Sequence, residues 1–130
     1  MFRAKDYPIT IAELLSFQRD ADHVFTEVER KALTDYLAAN PSMGDVIPGT
    51  GGIRKIRWGA RGGGKRGGAR VIYYFRDLNM PLFLLAVYVK GEKSNLTSSE
   101  KKQMELMVDL LVNQYRVRWQ GIIELNSNSA

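Results

Sequence analysis

The chain has no cysteine among its 130 residues. That absence excludes disulfides, thiolate metal sites and cysteine nucleophiles, and it fits a reducing cytoplasm. Histidine is nearly absent too, since His23 is the only one, in a polar stretch with no evident partner. A Ser-His-Asp triad or a histidine metal cluster needs more than this, so His23 reads as a surface or helix-flanking residue. The first residues, MFRAKDYPITIAELLSF, hold no apolar run suited to a signal peptide, and no later run is long enough to span a bilayer. Internal repeats and interdomain linkers are also missing. A cytoplasmic protein with no membrane association is the expectation, with residues 1–130 forming a single domain.

What is present is ordinary in bulk and uneven in detail. Hydrophobic residues make up 45% and charged residues 25%, which argues against wholesale disorder. The net charge of +5 is concentrated. Residues 54–93 carry ten Lys/Arg against Asp77 and Glu92, a local +8, while nine basic and twelve acidic residues leave the remainder at −3. A basic centre on a mildly acidic protein implies a polyanionic partner, nucleic acid first. The alternative is a solvated basic surface.

Along the chain, YPITIAELLSF (7–17) reads as a strand over Ile9 to Leu14, or else as the start of a helix. TEVERKALTDYLAANP reads as a helix. Thr26 and Glu29 make a T-x-x-E capping box, Val28, Leu33, Tyr36 and Leu37 supply an apolar face, and Asn40-Pro41 ends it. Asp20 and Asp22 fall just before it, as capping or N-terminal charges. IRKIRW (53–58) alternates as a strand, with Lys55 and Arg57 on one face and Arg54 on the other. ARVIYYF (69–75) and PLFLLAVYVK (81–90) read as further strands, the second buried on both sides. NLTSSEKKQMELMVDLLVNQY opens on a second capping box, Thr97 to Glu100, and predicts an amphipathic helix of about 16 residues. A short strand around Ile122–Leu125 and a frayed end are expected after it. The order (β)αβββα gives an α+β fold, with helices packed on one side of a sheet.

The segment RKIRWGARGGGKRGGARVIYYF interleaves glycines with Lys/Arg and permits three readings. Gly59, Gly64 and Lys65 match the spacing G-x-x-x-x-G-K, but Arg66 stands where a phosphate loop needs Ser or Thr for Mg²⁺. The loop also needs a following helix, and ARVIYYF is a strand, so no nucleotide site is assigned. Arg61-Gly62-Gly63 and Arg66-Gly67-Gly68 are two RGG units, which bind RNA when disordered. Between strands they read as a hairpin loop whose Arg61, Lys65 and Arg66, with Arg54, can touch phosphate. The third reading lies in the strands. If they pair antiparallel, Lys55, Arg57, Arg70, Lys90 and Lys93 can converge at one end of the sheet. Such a patch can lower the pKa of a ribose 2′-OH, stabilise a pentacoordinate phosphorus and protonate a leaving 5′-oxygen.

Three blocks carry a resemblance: NPSMGDVIPGTGGIRKIRW, GKRGGARVIYYF and LLAVYVKGEKSNLTSSEKK. In that order and spacing they resemble the HigB branch of the RelE/HigB toxins of bacterial type II toxin–antitoxin systems. The likeness covers about residues 25–112, with 1–20 and 116–130 as extensions. It implies a RelE-like microbial ribonuclease fold: a small antiparallel twisted sheet with N-terminal helical structure and a C-terminal helix. It implies a ribosome-dependent mRNA endonuclease that uses neither metal nor cofactor, in which 2′-OH attack leaves a 2′,3′-cyclic phosphate. Its partners would be the ribosome, mRNA and a HigA-like helix-turn-helix antitoxin, with operator DNA bound only through the antitoxin. By position, Lys55 and Arg57 match the family's K-x-[KR] strand, Arg70 the arginine that stabilises the transition state, and Lys90 and Lys93 the charge near the leaving group. RelE has a tyrosine near the position of Thr97, which this chain and many HigB-like members lack. Lys90 is then the candidate general acid, and Tyr88 reads as core. A non-catalytic basic RNA-binding module, or a degenerate toxin, is the alternative from a different class.

Overall fold

Every residue of the run Ala69–Tyr74 is buried, so its alternating side chains must be covered on both faces of a sheet. The computed structural model describes residues 9–60, 68–93 and 95–128, with side chains described through residue 116. In chain order the elements are β1 (Ile11–Glu13), α1 (Leu15–Val24), α2 (Glu27–Ala39), β2 (Asp45–Val46), β3 (Arg54–Trp58), β4 (Ala69–Tyr74), β5 (Leu82–Val89) and α3 (Ser98–Asn128). The architecture is α+β, with one five-stranded sheet in the order β1-β5-β4-β3-β2.

The sheet is mixed rather than antiparallel throughout. β2 to β5 pair antiparallel, but β1 lies parallel to β5, with Ile11 opposite Leu82. The cause is connectivity: β1 precedes two helices, and the chain returns to it only through β5. Leu82 N–H donates to the Thr10 carbonyl at 2.9 Å and Leu14 N–H to the Leu84 carbonyl at 3.0 Å.

The helices cover both faces, which corrects the expectation of one. Val71, Tyr73, Leu82, Leu84 and Val87 pack under Phe17 and Ala21 of α1 and Leu33 and Leu37 of α2. Ile72, Tyr74, Phe83 and Leu85 pack under Val108 and Val112 of α3. A bulge adjusts the alternation. Ile72 pairs with Ala86 and Tyr73 with Leu84, so Leu85 has no residue opposite it.

Sequence and structure part at three further places. α1 stands where Asp20 and Asp22 were expected to precede a helix; both lie inside it, and Asp22 accepts a 2.7 Å bond from Arg30. β1 is only three residues long, the inner part of the expected strand. The expected strand near Ile122 is instead the continuation of α3, which runs 31 residues. No proline follows Ser98, and extending a helix is far easier than nucleating a strand beside it. Among the described residues no helix is long and apolar enough to cross a membrane.

Candidate functional site

The register of three strands determines what the basic residues share. Arg57 of β3 lies opposite Arg70 of β4, and Arg70 lies opposite Tyr88 of β5. Directly opposed residues project from the same face, so Arg57, Arg70 and Tyr88 form a row across the sheet. Lys55, opposite Ile72, stands two residues along β3 on that face. Strands sit about 4.8 Å apart and two residues advance roughly 6.6 Å, so the three cations start from a patch about 10 Å across. It is the face that α3 covers further along, over Ile72, Tyr74 and Phe83.

Burial grades this row. Arg57 is exposed and Lys55 half-buried, whereas Arg70 is only 5% exposed. The Arg70 guanidinium donates from Nη1 to the Ala69 carbonyl at a long 3.4 Å. Arg70 thus places a guanidinium in a poorly hydrated position. Tyr88 is 9% exposed, and its buried hydroxyl has no hydrogen-bond partner among the described residues. Leaving such a group unpaired costs about 1–3 kcal/mol. Burial pushes the Tyr88 phenol above the ordinary tyrosine value, with Arg70 and Lys93 pulling against that rise. At neutral pH it is a proton-bearing donor.

The two lysines after β5 differ. Lys90 is exposed in the turn, its backbone N–H on the Gly68 carbonyl at 3.4 Å. Lys93 makes an ion pair with Glu100 and lies 5.9 Å from the centre of the Tyr88 ring. Glu100 also closes the α3 capping box: it accepts from Thr97 N–H at 2.9 Å, and Thr97 Oγ1 accepts from Glu100 N–H at 3.1 Å. The Lys93 hydrogen bond, then the Thr97 backbone, hold the Glu100 carboxyl below its usual value. So Lys93 is anchored to the helix start, and Lys90 is the freer of the two.

Beside this row is an open cleft of about 470 Å³, lined by Asp45, Ile47, Lys55, Tyr88, Asn95 and Lys101 among others. It lies between the short edge strand β2, the centre of the sheet and the approach to α3.

Arg54 is separated from the cluster. It pairs with Tyr73, on the α1/α2 face, and its Nη1 donates to the Ser42 and Gly44 carbonyls at 3.0 and 2.7 Å. Its geometry is that of a brace for the loop before β2. Arg61, Lys65 and Arg66 lie outside the described residues. The strand after them, β4, confirms that no helix follows the G-x-x-x-x-G-K spacing. His23 is exposed in the last turn of α1, at the surface as expected but within a helix rather than flanking one.

Sequence reasoning assigned no role at this site to Lys101, Asn95 or Glu100; it placed Tyr88 in the core, where its ring is, but with a satisfied hydroxyl, which it does not have among the described residues. The capping box pointed to Glu100 without its second partner. Nothing local signals the Tyr88 hydroxyl, because its neighbours come from the β4–β5 register. Among the described residues no three His, Cys, Asp or Glu gather as metal ligands. No protein-family model matches the chain.

Proposed function

We propose that this protein is a ribosome-dependent mRNA endonuclease with a RelE-like fold, the toxin half of a type II toxin–antitoxin pair, acting in the cytoplasm. The observation that carries this reading is the β3–β4 register, which sets Lys55, Arg57 and Arg70 together on one face. In the reaction, a ribose 2′-oxygen attacks the adjacent phosphorus and the bond to the 5′-oxygen breaks. The products are a 2′,3′-cyclic phosphate and a 5′-hydroxyl; the 2′-hydroxyl loses a proton and the leaving oxygen gains one. Lys55 eases loss of the first proton to solvent water, Arg57 holds the phosphate, and Arg70 faces the charge that develops on phosphorus. Lys90 supplies the leaving-group proton, and Lys93, tethered by Glu100, contributes charge.

A site built from lysine and arginine is a weak catalyst unless the RNA arrives already aligned. Positioning alone can supply about 7–11 kcal/mol in favourable cases, and the ribosome is the agent that would provide it. A helix-turn-helix antitoxin covering the basic face would hold the enzyme inactive and carry both proteins to operator DNA.

The test is induction of the wild type beside Arg70→Ala, with cleavage of ribosome-bound mRNA mapped by primer extension. Removing a charge that faces the transition state should slow cleavage about 100- to 1000-fold and relieve growth arrest. A wild type that is harmless without its antitoxin, or a fully toxic Arg70→Ala, would overturn the nuclease and leave a basic RNA-binding module.

A further inference from the structure

Tyr88 combines features that do not normally persist together. Its ring is packed against the α3-face core, yet its hydroxyl is buried without a partner among the described residues. Buried polar groups are nearly always paired, and those that are not call for a functional explanation. The residue lines an open cleft, directly opposite the buried guanidinium of Arg70 in the ladder. Lys55 and Lys101 line the same cleft, and Lys93 approaches the Tyr88 ring. Asp45, opposite Lys55 in the ladder, and Glu100, paired with Lys93, are the acidic groups nearby. Among the described residues, four cations against two carboxylates leave the surroundings positive. A phenol that keeps its proton can only donate to, or accept from, what enters, and in a positive cleft that is an anion with lone pairs.

We infer that the Tyr88 hydroxyl is the floor of a phosphate subsite, donating a hydrogen bond to a non-bridging oxygen of an RNA phosphodiester held between Arg70 and Lys55. The nuclease reading supplies the identity of the ligand as RNA; the phosphate chemistry of the subsite stands on the geometry alone. Tyr88 thereby joins Arg70 in contacting the phosphate, and no covalent step is assigned to it.

Tyr88→Phe removes the hydroxyl and keeps the ring, so it isolates the proposal. Wild type and variant are titrated by NMR with inorganic phosphate and, separately, with a 2′-O-methylated RNA trinucleotide that cannot be cleaved. The wild type should bind the trinucleotide saturably, and Tyr88→Phe should bind it about tenfold more weakly, as expected for one hydrogen bond to a charged group. A parallel response to inorganic phosphate would mean that the anion alone suffices; a response to the trinucleotide only would mean that the chain positions it. Both support the subsite. Thermal melting adds a readout that a structural hydroxyl would move, since Tyr88→Phe should melt at or above the wild type. Equal trinucleotide affinity in the two proteins, no saturable binding by the wild type, or a variant several degrees less stable would each overturn the inference. Binding through Tyr88 without cleavage of ribosome-bound mRNA would remove the nuclease reading and keep the subsite.

Discussion

At Tyr73 a fully buried ring carries a hydroxyl that accepts from Gly44 N–H at 2.8 Å and donates to the Pro41 carbonyl at 2.9 Å. The loop before β2 is fastened there, and a Cβ at Gly44 would come within 2.7 Å of the ring. Tyr73 and Tyr88 are thus opposite cases of one side chain. Tyr73→Phe strands a buried N–H and should cost about 1–3 kcal/mol, whereas Tyr88→Phe removes a hydroxyl that has no partner among the described residues. Paired thermal melts check this. A drop for Tyr73→Phe of several degrees and none for Tyr88→Phe is expected, and equal drops would refute the distinction. Which residues share a face was readable from alternation alone: it put Lys55 and Arg57 together and Arg54 on the other side. The difference between the two tyrosines was not readable. It depends on the β4–β5 register and its bulge, which no local pattern specifies.

α3 begins where the cap, the ion pair and the edge of the cleft meet. Thr97→Ala removes the acceptor for Glu100 N–H and should cost about 1 kcal/mol. Glu100 adds a pH dependence. Its carboxyl is held below the ordinary value, chiefly by Lys93, so its contribution is fully present above the unfolded carboxylate value of about 4.3 and is lost as pH falls through the lower folded value. The pair is about a third exposed, so the contribution is modest. Melting of the wild type and Glu100→Gln should differ at neutral pH and converge at strongly acidic pH; a difference that does not change with pH would remove the ion pair from the account. Both capping boxes were legible because they are written in adjacent residues. α1 was missed although Phe17, Ala21 and Val24 fall at helical spacing, because the strand-like residues before it masked the change of period. The tail misled in the other direction: Ile122 and Ile123 favour strands locally, but a helix already under way absorbs them.

Across the molecule the sheet divides its charges between two faces. On the α1/α2 side, Arg30 is spent on structure: it grips Glu13 from Nε at 3.0 Å and Nη2 at 3.0 Å, and Asp22 from Nη1 at 2.7 Å. That cluster joins β1, α1 and α2, while the α3 face of the sheet carries Lys55, Arg57 and Arg70, of which Lys55 lines the cleft. The basic middle of the chain was plain from composition and its division within β3 from alternation, but the placing of Arg70 beside Lys55 and Arg57 came only with the register. If the α3-side row binds RNA, its affinity must fall with salt, because each neutralised phosphate releases counterions. For a single strand the slope of log K against log salt is about −0.7 per contact, so three contacts give about −2. Arg57→Gln should flatten that slope by about 0.7. Lys31→Gln should leave it unchanged, since Lys31 is an exposed partner of Asp35 on α2. Fluorescence anisotropy with a 2′-O-methylated oligonucleotide between about 50 and 200 mM salt measures all three slopes. A slope that Lys31→Gln flattens and Arg57→Gln does not would move the RNA to the opposite face of the sheet, and Arg70 would lose its place in the chemistry.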